Sequence, residues 1–436
     1  MYRVVNSWSA RARAAGFIVF PLYLLLLSTN ALARPTAYGE HFVRLGEVLP
    51  GSGAVREGGL ASDPGGSEVS YRQQMEEMEL RDGPYADALA EPLAALGKAY
   101  RRQGDFDSAL ASYRRALHVV RINDGLYSER QIPVLRELLL TFRETGDYEA
   151  LDQRYEYFFR LYGQGQPPYT ELRLRAALEY LRWQREALLL DLDGDARRRL
   201  LGLIALNEDL VDAVLADPKA PYAWKWDFTQ SQLRNFYLLQ SMYTPRIQEI
   251  GLVHSPGPFG AKPVADDLED QRFDHLLRTV PGKGRVLIEQ LEQASANEGP
   301  IEQASLRLTL ADWHLWNGGH QKAGSAYRQV VATLQHEGQT ELLQQWLGEP
   351  VELPTNGAFL RPVDASNDEP ARVRARFDVS TRGRVSNIST EALSGEAADE
   401  LVSFRRRLAD TLFRPRWDSG KPEASKGLER DYRLLD

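Results

Sequence analysis

The residues of this chain best suited to chemistry form a short acidic string. Asp191, Asp193 and Asp195 alternate with other residues, an arrangement that calcium-binding loops use to gather oxygen ligands. Such a loop also needs a glycine at its sixth position and a glutamate at its twelfth, where this chain has Ala196 and Gly202. The pattern therefore favours an acidic cap on the following helix, and no metal site is predicted.

Two further strings could belong to an active site. His314 and His320 flank a Gly-Gly turn, but His314 falls where a helix pair packs an aromatic ring, which favours a structural role. Residues 281–285 read Pro-Gly-Lys-Gly-Arg, without the full phosphate-loop sequence or a preceding strand. No Gly-x-Ser-x-Gly elbow occurs. The sequence therefore predicts no catalytic residue and no cofactor, and the protein is not expected to be an enzyme.

The N-terminus has the pattern of a secretory signal peptide over residues 1–33. Arg3, Arg11 and Arg13 precede the apolar run 16–27, and small residues before Arg34 predict cleavage after Ala33. A retained membrane anchor is the alternative, but the run is shorter than the roughly 20 residues that span a bilayer. We therefore expect an exported, periplasmic protein.

Composition limits the classes of partner. The chain has 436 residues, of which 43% are hydrophobic, and no cysteine, so neither disulfides nor a lipid-modified cysteine are available. After removal of the signal peptide the net charge would be −11. Such an acidic protein is a poor candidate for binding nucleic acid or anionic lipid.

Apolar positions three and four apart predict a pair of antiparallel helices near residues 90–121. Small residues mark where the two backbones approach, and a glycine marks the turn between the helices. The key positions are Leu96, Gly97, Tyr100, Gly104, Ala109, Tyr113 and Ala116. This spacing resembles the tetratricopeptide repeat (TPR), which implies a helical-repeat solenoid that binds a protein or peptide.

The same template recurs further along the chain. A second unit near residues 132–162 has its turn at Gly146, and a third near 304–334 carries Gly318, Ala323 and Tyr327. The repeat domain is expected to span residues 84–346, with irregular helical repeats over 191–284. Residues 34–83 are rich in Gly, Ser and Pro, and most of this segment is predicted to be a flexible lead, with one short helix expected over residues 71–80. Residues 347–370 predict a Pro-rich linker.

Beyond residue 370 the hydrophobic period changes from helical to alternating, and the order strand, strand, helix, strand is predicted over 371–436. Two elements carry a resemblance to the C-terminal domain of TonB-type energy transducers. They are Phe377-Asp378-Val379 before Arg382-Gly383-Arg384-Val385, and Phe413-Arg414-Pro415 before Asp418-Ser419-Gly420-Lys421-Pro422. The fold class expected overall is mainly α, a solenoid followed by a small α+β domain.

The TonB resemblance implies that the sheet pairs its edge with an extended segment of an outer-membrane receptor. The last strand, residues 429–434, is the edge expected to be open. The chain departs from the family because it lacks a convincing anchor and a long Pro-rich spacer. Arg405-Arg406-Arg407 could touch peptidoglycan or an acidic partner, although ion pairs with Glu400 and Asp410 are favoured.

These patterns predict a non-catalytic scaffold of the cell envelope that binds a protein or peptide on the concave face of its helices. Candidate contact residues, chosen by position on the first helix of each repeat, are Lys98, Arg101, Arg102, Arg136 and Arg143. Two alternatives remain at this point: an accessory to outer-membrane transport that binds a receptor segment by strand addition, and an envelope enzyme or peptidoglycan-binding protein.

Overall fold

Helices make up most of the chain. The computed structural model describes residues 35–46, 68–192, 195–243, 264–360, 371–394, 397 and 399–435. The first helices are α1 (Glu68–Asp82), α2 (Ala90–Gln103), α3 (Phe106–Asp124), α4 (Ile132–Thr145), α5 (Tyr148–Leu161) and α6 (Glu171–Leu189). They are followed by α7 (Ala196–Ala216), α8 (Tyr222–Met242), α9 (Val264–Ala294), α10 (Pro300–Trp316), α11 (His320–His336) and α12 (Thr340–Leu347). The prediction of a mainly helical chain is confirmed.

The turns between paired helices repeat the same local chemistry. Gly104 and Gly146 end α2 and α4 in the left-handed conformation, at φ of 80° and 70°, which a residue with a Cβ adopts only at a cost. The next residues, Asp105 and Asp147, cap α3 and α5 by accepting hydrogen bonds from backbone N–H groups three residues on. The shared cap and turn make α2/α3 and α4/α5 two copies of one unit.

Close backbone approach explains the small residues inside these pairs. A Cβ added to Gly97 on α2 would lie 2.7 Å from Cε1 of Tyr113 on α3, whose side chain is fully buried. Helix α1 lies on this first hairpin, where Tyr71 and Met75 join its apolar core. Gly97 therefore sets the distance between α2 and α3.

Gly97→Ala is expected to destabilise the protein by about 1–3 kcal/mol, because the added methyl group overpacks the site against Tyr113. Gly202→Ala is the matched control, since a Cβ there meets nothing within 4 Å. This control should stabilise α7 by up to ~1 kcal/mol through helix propensity. Urea denaturation followed by circular dichroism compares the two, and equal midpoints would contradict the packing role of Gly97.

The region expected to hold irregular repeats contains three long helices, α7, α8 and α9. Residues 281–285, considered above as a phosphate loop, lie inside α9, so their backbone N–H groups are not arranged around an anion. Lys283 Nζ donates to Glu208 Oε1 at 2.9 Å. Residues 244–263 lie outside the described residues.

A four-stranded antiparallel sheet forms the C-terminal domain. Its strands are β1 (Phe42–Arg44), β3 (Arg372–Val379), β4 (Val385–Ala392) and β8 (Ser425–Leu434), in the order β1-β8-β3-β4. Helix α13 (Leu401–Asp410) packs on one face. The short strands β2 (Val351–Glu352) and β5 (Phe413–Arg414) pair with each other, as do β6 (Arg416–Asp418) and β7 (Lys421–Glu423).

Residues 35–46, the described start of the lead segment, contradict two predictions made from the sequence. The segment was predicted to be flexible, yet Phe42, Val43 and Arg44 pair with Leu434, Arg433 and Tyr432 of the last strand. The phenyl ring of Phe42 is fully buried in the sheet core. Strand β8 therefore has β3 on one side and β1 on the other, so residues 432–434 do not present an open edge. Burial of apolar side chains fixes this short strand although its neighbours are rich in Gly and Ser.

The predicted linker is also packed rather than extended. Its residues Leu353 and Phe359 are buried in the core of the helical domain, and β2 pairs with β5 of the C-terminal domain. Arg234 Nε on α8 donates to the backbone carbonyl of Asn356 at 2.6 Å. The segment 349–360 thus bridges the two domains, whereas residues 361–370 lie outside the described part.

The predicted signal peptide, residues 1–33, lies outside the described residues. Within the described ranges, none of the helices combines the length and the apolar character that crossing a bilayer requires.

Phe42→Ala should cost about 3–5 kcal/mol, because it leaves a cavity in the sheet core. Leu45→Ala, one residue past β1 and 38% exposed, is the control and should cost less than ~1 kcal/mol. Hydrogen exchange at β8 should become faster in the Phe42 variant alone. Unchanged exchange there would mean that β1 does not hold the last strand.

Candidate partner-binding surface

An interhelical ladder of ion pairs joins the first helices of successive units, α2, α4 and α6. Arg101 on α2 donates to Glu144 Oε1 at 2.6 Å and to Glu137 Oε2 at 3.0 Å, both on α4. Lys98 Nζ lies 4.0 Å from Glu137 Oε1, whose side chain is almost fully buried. These contacts draw two predicted partner-binding residues onto the neighbouring helix.

The pattern repeats between α4 and α6. Arg136 donates to Glu179 at 3.0 Å, and Arg143 donates to Glu186 at 2.6 Å. Each of these pairs spans 43 residues, as does the Arg101 to Glu144 pair, so equivalent positions of adjacent units meet. The Arg143 guanidinium also lies over the Trp183 ring, 5.4 Å from its centroid.

The environment keeps these guanidinium groups charged. Burial alone would lower the pKa of Arg143, but Glu186 and Tyr155 beside it raise that pKa above its usual value. The same balance holds at Arg136, where Glu179 opposes the effect of burial on the pKa. Both guanidinium groups thus stay charged although they are partly buried.

Arg185 continues the series one unit further along the chain. Arg101, Arg143 and Arg185 lie 42 residues apart, but Arg185 is 5% exposed and donates to Ser231 Oγ and Asn235 Oδ1 on α8. Burial, with the Arg234 charge nearby, lowers the pKa of Arg185 well below its usual value. The ladder therefore ends on a buried guanidinium held by neutral oxygens.

The five predicted contact residues thus have two environments. Lys98, Arg101, Arg136 and Arg143 lie in the ladder, with their charges turned toward carboxylates of the next helix. Arg102 is exposed. A partner that reaches this face meets alternating charges of both signs rather than a basic patch, so it is selected by the positions of its polar groups more than by net charge.

The other residues considered for chemistry lie apart from the ladder. Asp195 accepts a hydrogen bond from the Arg198 backbone and so caps α7, whereas Asp193 lies outside the described residues. Burial lowers the pKa of His314, and the positive charge of Lys322 lowers it further. Burial also lowers the pKa of His320, together with the positive charge of Arg382. Within the described ranges no group of His, Asp and Glu side chains is arranged to hold a metal ion.

Sequence reasoning missed the contact that joins the two domains. Arg414, from the Phe-Arg-Pro element, enters the helical domain, where its Nε donates to Asp312 Oδ1 at 2.8 Å and its Nη2 to Asp312 Oδ2 at 2.5 Å. Tyr327 donates to the same carboxylate at 2.7 Å. Both side chains of the ion pair are more than nine-tenths buried. The motif singled out Arg414, but nothing in the sequence pointed to Asp312.

A second buried pair supports the same junction. Arg430 of β8 donates to Glu352 Oε1 at 2.7 Å, and the Tyr432 hydroxyl donates to the same oxygen at 2.7 Å. Glu352 belongs to β2, in the segment predicted as a linker. Two buried carboxylates therefore fix the sheet domain, one from α10 and one from β2.

No protein-family model matches this chain, and no curated protein matches it. Among solved structures, the putative kinesin light chain TPR-like repeats of Podosopora anserina align at 13% identity and a TM-score of 0.35, over 59% of this chain and 98% of that chain. BtubC (BKLC) from P. vanneervenii aligns at 14% identity and a TM-score of 0.22, over 62% and 91%.

The first of these two neighbours is described as TPR-like, and both TM-scores lie below 0.5. The division into helical repeats therefore stands on the shared caps, turns and ion pairs of the units themselves. The likeness of residues 371–436 to TonB stays a prediction.

Asp312→Asn should destabilise the protein by about 3–5 kcal/mol, because it leaves the buried Arg414 guanidinium without a counter-charge. The control is Glu289→Gln in the Arg285 to Glu289 pair, where both side chains are 39% exposed. That variant should lie within ~0.5 kcal/mol of the parent protein. Denaturation midpoints measure both, and a cost below ~1 kcal/mol at Asp312 would contradict the role of the buried pair.

Proposed function

We propose that this protein is a non-catalytic scaffold of the bacterial cell envelope. In this proposal it holds a protein or peptide partner against the first helices α2, α4 and α6, and its C-terminal sheet domain supplies a second contact. The observation that carries the proposal is the interhelical ladder, which keeps three adjacent helices in a fixed register and gives them one continuous polar face. Stacked helix pairs offer extended surfaces of this kind to partners.

The envelope location is supported by the sequence alone. The pattern of residues 1–33 is that of an export signal, and the motifs around Arg414 resemble a periplasmic domain. The absence of cysteine is compatible with an oxidising compartment but does not require one.

One structural finding counts against the alternative role in outer-membrane transport. The edge expected to receive a receptor segment is already paired over residues 432–434 with the chain's own strand β1. To pair with residues 432–434, a receptor segment would have to displace a strand whose Phe42 side chain is fully buried. We therefore prefer the scaffold over the transport accessory.

Site-specific photocrosslinking in the producing cells tests the proposal. A benzophenone amino acid replaces Arg102, which is exposed on α2, and in a matched strain it replaces Arg114, which is exposed on α3. We expect a discrete adduct from position 102. The yield of adduct from position 114 should be at least about tenfold lower, which corresponds to a preference of ~1.4 kcal/mol for the first-helix face. Equal adducts from the two positions, or none from position 102, would overturn the assignment of the first-helix face.

A further inference from the structure

The two edges of the C-terminal sheet differ. At one edge the short strand β1 pairs with residues 432–434 of β8, whereas at the other edge β4 pairs with β3 on one side and with no other described strand. Leu393 N donates to Arg372 O at 2.8 Å, which fixes the alternation of the antiparallel ladder. The N–H and C=O groups of Thr390 and Ala392 consequently point away from β3. This edge offers backbone groups to an additional strand.

The usable part of this edge is short. Asn387 has a φ of 54°, and the β3/β4 register shifts between Arg376 and Asp378, so the first half of β4 is bulged. From Ser389 to Ala392 the pairing is regular. An incoming strand can therefore form a regular ladder along about four residues, enough for a short segment rather than a whole sheet.

A groove of about 390 Å³ runs between β4 and α13, next to this edge. Its lining includes Ile388 and Val385 on the strand and Val402 and Ala409 on the helix. Val402 is 67% exposed, so its apolar side chain is accessible to a partner at the groove. A strand added to β4 would direct alternate side chains over these residues.

The charges of the groove are of one sign. Arg405 and Arg406 line it, both are exposed, and no carboxylate lines it with them. The ion pairs expected with Glu400 and Asp410 do not form, and over the described ranges neither arginine takes part in any ion pair. Two uncompensated guanidinium groups favour a partner that brings carboxylates.

We propose that β4 and α13 form a docking site for an extended acidic segment of a partner protein. The segment pairs with the backbone of Thr390 and Ala392, places apolar side chains over Ile388 and Val402, and brings carboxylates to Arg405 and Arg406. This inference rests on the proposed scaffold function, because it names the second contact of that scaffold. It differs from pairing at residues 432–434 of β8, which β1 already occupies.

Fluorescence polarisation with synthetic peptides tests the site on the chain from residue 34 onward. The probe is a fluorescein-labelled heptapeptide of alternating glutamate and valine. Its controls are the lysine–valine counterpart and a version with proline at the central position. We expect the glutamate peptide to bind at least tenfold more tightly than either control. No binding of the glutamate peptide at 1 mM protein, or equal binding of the lysine peptide, would overturn the proposal.

Variants locate the binding. Arg405→Glu with Arg406→Glu should weaken the glutamate peptide at least tenfold, and Thr390→Pro should do the same by removing an edge N–H that the β3 ladder does not use. Arg102→Glu on α2 is the control and should leave peptide affinity unchanged. An effect of Arg102→Glu equal to that of the paired arginines would place the peptide on the helical face instead.

Different results would overturn the first-helix binding face and the docking site at β4 and α13. Loss of the position-102 adduct in cells, with peptide binding retained at β4, would remove the first-helix face and keep the sheet site. Retained adducts with no effect of Thr390→Pro and the paired arginine change would remove the sheet site alone. Slow hydrogen exchange at β8 in the Thr390→Pro protein, unchanged from the parent, shows that the sheet has folded.

Discussion

The buried pairing of Asp312 with Arg414 is the constraint on which the arrangement of the two domains depends. A guanidinium and a carboxylate leave water at a cost of several kcal/mol each, and the geometry repays that cost only while both oxygens and the Tyr327 hydroxyl stay in place. Such a contact allows little displacement of the sheet domain relative to α10. The sheet domain is therefore held at one position on α10 and α11, and the positions of β2 and β8 follow from it.

The helical units show what sequence periodicity can predict. Gly97 and Gly104 identified the first hairpin because close approach and a left-handed turn leave few alternatives to glycine. The ladder could also have been found, since Arg101 and Arg143 each have a glutamate 43 residues ahead, one unit along. Position alone instead suggested that these arginines face a partner, because the carboxylates of the next helix were not matched to them.

Other features had no local signal. Strand β1 has three residues, too few to show an alternating period, and it pairs with residues near the other end of the chain. No sequence pattern distinguishes Asp312 from the other polar residues of α10. Its partner, Arg414, lies 102 residues further along the chain. The pairing of short elements that are far apart in sequence depends on the burial of particular side chains. The hydrophobic pattern within one segment does not indicate which distant segment it pairs with.

The pairing of β1 with β8 also orders events during synthesis. Phe42 precedes the helical units in the chain, but the strand that covers it is completed only with Leu434, so the helical units can form first while the sheet must wait for β8. The loop between β1 and β8 is long, but the entropic cost of closing it is only slightly larger than for a shorter loop. Its length does delay the pairing of the two strands. A chain that ended before β8 would leave the Phe42 side chain without the strand that covers it.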